Sequence, residues 1–133
     1  MGKIQALIVL RDKVQAGDVG YNGFLDIAEL ALKRADVFSI DAWKAYNGSL
    51  DAAKALHEAV LPGWDYGLYT RRTTCDVAVT VTPPGFQGPY IWINSHIPAR
   101  AWLLAILEAL IVKANAHHKV QVIAGLGLET YND

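Results

Sequence analysis

Apolar residues recur at helical spacing from the start of the chain: Ile4, Leu7, Ile8 and Val14 share one face, with Lys3, Asp12 and Lys13 elsewhere. This pattern predicts an amphipathic helix over 2–15. The stretch "AGDVGYNG" (Ala16 to Gly23) interrupts it with three glycines, each free to take a positive φ. A second helix is expected from Phe24 to Arg34, with Leu25, Ala28 and Leu32 on one stripe and Ile27 and Leu30 widening it. Residues 36–46, "DVFSIDAWKAY", fit either a short strand or a turn of helix.

A third helix is better marked. Ser49 can cap it by accepting an orphan backbone N–H, and Asp51 suits the positive end of the helix. Leu50, Ala53, Leu56 and Val60 form its expected buried side, and Pro62-Gly63 stops it. From Trp64 the period becomes two, with Trp64, Tyr66 and Leu68 facing one way and Asp65 and Tyr69 the other. "RRTT" (Arg71 to Thr74) reads as a hairpin, and the return strand directs Cys75, Val77, Val79 and Val81 inward and Asp76, Thr80 and Thr82 outward. The loop "PPGFQGP" (Pro83 to Pro89) leads to a third strand, "YIWIN" (Tyr90 to Asn94). Loops this short cannot carry a parallel crossover, so the strands form an antiparallel meander. Pro98 suits the first turn of a helix running from Ala99 to about Ala116. That helix is apolar around nearly its whole circumference between Ala101 and Val112, so it lies inside a core, against a partner, or both. A last strand is expected at Val120–Ile123. The fold class is α+β: a mainly antiparallel sheet of three or four strands packed with helices, in an α/β/α-type sandwich.

Length and composition narrow this further. The 133 residues suit a single domain, and 53% apolar against 19% charged excludes general disorder. A net charge of −1 offers no broad attraction to long nucleic acid or an anionic membrane. The longest apolar run, Ala101 to Val112, contains Glu108 and is too short to span a bilayer. No cleavage site follows the N-terminal apolar run and the lone cysteine cannot form an internal disulfide, so a cytoplasmic location is expected.

Four segments carry a resemblance: "YNGSLDAAKAL", "PGWDYGLY", "YIWIN" and "PARAWLLAILEALIVKA". In this order they resemble the phage ABA sandwich domain, a family of small proteins encoded by tailed phages and prophages. The likeness covers roughly residues 2–116, most firmly 46–70 and 98–114. It implies α/β/α layering and a place in the cytoplasm of a host bacterium, and it brings no catalytic residues with it. The chain departs from the family in a longer apolar tail, 117–133, which bears on oligomeric state.

The chemical candidates are few. His117-His118 would point to opposite faces of an extended chain and fit a polar helix end better than a metal site. Cys75 among valines reads as core, and His57 beside its helix's buried stripe as half-exposed. The carboxylates Asp36, Asp41, Asp51, Glu58, Asp65 and Asp76 have no spacing that forces a pair, and "GLG" (Gly125 to Gly127) lacks the pattern of a phosphate loop. What remains is aromatic and basic: Trp64, Tyr66, Tyr69, Tyr90 and Trp92 on neighbouring strands, Arg71 and Arg72 at the hairpin, His96 and Arg100 near a helix start. Aromatic faces stack on nucleobases and arginine forks hold phosphate, so this set is the candidate ligand site. The competing reading packs the same rings beneath helices and leaves the arginines solvated.

The resulting expectation is a non-enzymatic phage-type accessory protein with no cofactor. It self-associates and counteracts a host defence by binding a nucleotide-derived signal or a host protein. A structural or protein-interaction module without a small ligand is the alternative; a hydrolase of nucleotide signals ranks third.

Overall fold

The structure is a computed structural model. It describes residues 2–17, 19–32, 35–70, 76–86 and 91–126; of these, the side chains of 35–37 and 117–126 are left aside. In chain order the described elements are α1 (Lys3–Ala16), α2 (Tyr21–Leu32), α3 (Ala35–Tyr46), α4 (Leu50–Val60), β1 (Asp65–Thr70), β2 (Val77–Thr82), β3 (Ile91–Ser95) and α5 (Pro98–Leu126). The fold is α+β, and the three strands form the expected antiparallel meander in the order β1-β2-β3.

Local chemistry sets most boundaries. Ser49 has the extended backbone of a cap, and its Oγ accepts from the Ala52 N–H at 3.1 Å. At the other end of α4 the Leu61 N–H reaches the His57 carbonyl at 2.8 Å. The chain then turns into β1 through Gly63, whose φ of 82° favours glycine. The ambiguous segment 36–46 is helical, and α3 docks on α2 through a ring cluster. Phe24 lies 5.3 Å from Trp43 and 5.4 Å from Tyr46 between ring centroids.

The central element is α5. Ala101, Trp102, Leu103, Ala105, Ile106, Leu107, Ala109 and Ile111 are buried around its circumference. It packs against β2 and β3 on one side and against α1, α3 and α4 on others. The all-round apolar pattern is therefore covered within the chain itself. The layers run sheet, α5, outer helices, and the described helices leave the opposite face of the sheet open. No helix among the described residues is long and apolar enough to cross a membrane.

Several expectations need correction. The strand expected at Val120–Ile123 is helix, because α5 continues to Leu126. His117 and His118 accordingly lie within α5 rather than at its end. The buried face of α1 is rotated to Ala6, Leu7, Leu10 and Val14, leaving Ile4 and Ile8 at its margins. In α4 the buried positions are Ala52, Ala53, Leu56 and His57, whereas Leu50 is exposed. Leu30 of α2 is likewise exposed. Thr80, expected outward, does point to the open face yet is only 6% exposed. Cys75 and the Arg71–Thr74 hairpin lie outside the described residues.

Candidate functional site

Strand parity sorts the sheet residues. Register pairs Tyr66 with Val81 and Val79 with Ile93, so these share the inner face toward α5. Tyr69 pairs with Ala78, and Thr80 with Trp92, so these share the open face. Tyr69 and Trp92 stand on the two edge strands, and the Tyr69 ring lies over Gly67 of its own strand. Their ring planes are 4° apart and their centroids 6.2 Å apart. Beneath them the sheet is built of small residues. Ala78 and Thr80 are buried although none of the described helices covers them, and a Cβ on Gly67 would meet the Tyr69 ring at 2.8–3.0 Å. The missing side chain of Gly67 is what lets Tyr69 lie down on the backbone.

Both rings keep an outer face in solvent: Tyr69 is 55% and Trp92 47% exposed. Trp92 Nε1 donates to Asn94 Oδ1 at 3.2 Å, which orients the indole. Phe86, Asp65, Thr80 and Thr82 complete a shallow hollow of about 340 Å³ over this face. The hollow thus offers parallel ring faces for a planar group, with a carboxylate and hydroxyls at its rim to accept or donate hydrogen bonds.

The structure divides the predicted set of site residues. Tyr69 and Trp92 come together as just described. Tyr66 is on the other face, where its ring lies 4.5 Å from Trp102 and 5.0 Å from His57 between centroids. Trp64 packs against the core and its carbonyl holds His57. Arg100 is a structural cation: its Nε donates to the Tyr46 carbonyl at 3.0 Å and its guanidinium lies 4.1 Å from the Tyr46 ring centroid. It lines a separate groove of about 790 Å³ between β3 and α1, which meets the ring face at Trp92 and Asn94. His96 is 80% exposed, with Nδ1 2.7 Å from Asp76 Oδ1. That contact is an ion-pair approach without hydrogen-bond alignment, leaving the buried Oδ1 with no hydrogen bond among the described residues. Arg71, Arg72 and Tyr90 lie outside the described residues.

His57 is the larger surprise, at 1% exposed rather than half-exposed. Trp102 Nε1 points at His57 Nδ1 at 3.2 Å, and an indole N–H can only donate. Nδ1 is therefore the acceptor, so the proton sits on Nε2, which donates to the Trp64 carbonyl at 2.9 Å. This neutral imidazole joins α4, the entry to β1, and α5. It is a core clamp, with both nitrogens spent. Across the molecule, Arg11 Nη1 meets Glu108 Oε1 at 2.8 Å, and the hydrogen bond to Glu108 raises the Arg11 pKa above its ordinary value. Both side chains are about a third exposed, so the pair contributes at most about 1 kcal/mol to joining α1 and α5.

Among the described residues, no three His, Cys, Asp or Glu side chains gather to hold a metal ion. Comparison with protein-family models, curated proteins and solved structures finds no match for this chain. Sequence reasoning placed Asp65 on the face of Tyr69 and Thr80 on the outward face but left both out of the candidate site, and it missed Phe86. The one available signal was the alternation of Gly67, Tyr69, Thr80 and Trp92 onto a single face.

Proposed function

We propose that this protein binds a nucleotide-derived small molecule, stacking its planar base on Tyr69 and Trp92 at the open sheet face. The observation that carries the reading is the pair of parallel, half-exposed rings laid over Gly67, Ala78 and Thr80. Exposed rings that could have been buried under a helix are instead held flat, and base–aromatic stacking is worth about 1–3 kcal/mol per base. The Asp65 carboxylate supplies acceptors for base or sugar protons. With the resemblance to phage proteins, the biological role follows as sequestration of a nucleotide-derived immune signal in a host bacterium. Binding is favoured over bond-breaking because both nitrogens of His57 are committed to the core and neither His57 nor His96 lines the hollow.

The test is tryptophan fluorescence and calorimetry with AMP, ADP-ribose and a cyclic dinucleotide as probes. At least one probe should quench Trp92 and be recovered intact after incubation, and Trp92→Ala should weaken its binding about 10-fold or more, from the stacking energy. Absence of heat and quenching with every probe at millimolar concentration would overturn the reading and favour a protein-interaction module using the same exposed rings. Conversion of a probe would favour the hydrolase.

A further inference from the structure

We infer that the free edge of β1 is a seam for a second copy of this chain, joined by antiparallel β1–β1′ pairing about a two-fold axis. The argument begins with the strand order. β2 is central, so one edge of β1 has no strand beside it among the described residues, and its main-chain donors and acceptors there can be completed by an extended chain. Exposed edges are usually blunted by lysine, proline or a bulge; Asp65–Thr70, "DYGLYT", has neither residue and pairs with β2 in unbroken register.

The second observation concerns the inner face, which the helix layer should cover. Beneath β2 it does, with Val79 and Val81 fully buried. Beneath β1 the cover is incomplete: the Tyr66 ring rests against Trp102 and His57, yet Tyr66 remains 41% and Leu68 37% exposed. The sheet overhangs its own helices by one strand. An occupant must therefore supply an extended backbone and apolar side chains at alternate positions on the helix side.

The chain's own β1 has that chemistry. A two-fold axis normal to the sheet keeps both helix layers on one side, so paired residues must share a face. Placing Gly67 on the axis sets Tyr66 against Leu68 of the second copy, twice, so each covers the other. It also sets Asp65 beside the second copy's Tyr69 on the open face, and keeps the two Asp65 carboxylates apart. The contact is isologous and closes on itself, yielding one six-stranded sheet and no open series of copies.

Light scattering and sedimentation of the full chain from 1 to 200 µM test this. The expected result is a species of twice the 14.5 kDa chain mass, with hydrogen exchange at 65–70 slowing as concentration rises. Leu68→Lys should restore the single-chain mass at 200 µM with unchanged far-ultraviolet circular dichroism. Leu30→Lys, at an exposed apolar residue on α2, should leave the pair intact. A wild-type chain that stays single throughout, or a pair insensitive to Leu68→Lys, would overturn the inference. If Leu68→Lys does not fold, the wild-type exchange data decide: protection at 65–70 independent of concentration overturns it.

Discussion

Gly67 earns its place through space rather than backbone conformation. Its absent side chain makes room for the Tyr69 ring, and the atoms that an added Cβ would meet belong to the tip of a half-exposed side chain. Gly67→Ala should therefore shift unfolding stability by no more than about 0.5 kcal/mol, as surface substitutions do. It should nevertheless lift Tyr69 off the sheet, changing near-ultraviolet circular dichroism and weakening any stacked ligand; unchanged spectra would show that the ring does not depend on that space. His57 illustrates what a sequence conceals at this scale. Its helical position lies beside the apolar stripe, but its donor Trp102 is 45 residues away along the chain. A histidine at the margin of a stripe reads as half-exposed until the distant indole is known.

Elements with strong local signals were legible. The Ser49 cap, the Pro-Gly stop and the alternating strands correspond to α4 and the meander, because capping and turn chemistry act within a few residues. Ser49→Ala should cost about 1 kcal/mol in denaturant unfolding by stranding the Ala52 N–H; no loss would mean water replaces the hydroxyl. Longer-range determinants were less visible. Residues 36–46 mix aspartate, serine, β-branched and aromatic residues, so propensity alone does not choose, and packing of Trp43 and Tyr46 on Phe24 decides for helix. "VQVI" after Lys119 has the alternation of a strand, yet a helix already running through Ala116 needs no new nucleus to continue through it. Of the ligand-site candidates, the Tyr69–Trp92 pair was legible as a type of chemistry. Alternation along β1 already set Tyr66 and Tyr69 on opposite faces; that Tyr69 meets Trp92 across β2 depends on the register between strands, which the sequence does not show.

At the scale of the whole molecule, one helix of about 43 Å, from its 29 residues at 1.5 Å each, passes through the centre of the fold. Sheet and helices lean on it from different sides, and side chains such as Leu103, Ile106 and Leu107 are each worth about 1.5–3 kcal/mol in burial. Yet α5 follows, in chain order, every described element that it holds together. A fragment of residues 1–97 should consequently lack cooperative thermal unfolding and resist no protease; a sharp transition in that fragment would contradict the arrangement. During synthesis, then, residues 1–97 must wait at the ribosome without their scaffold until α5 emerges. Maturation becomes a single event, timed by the emergence of one helix from the exit tunnel.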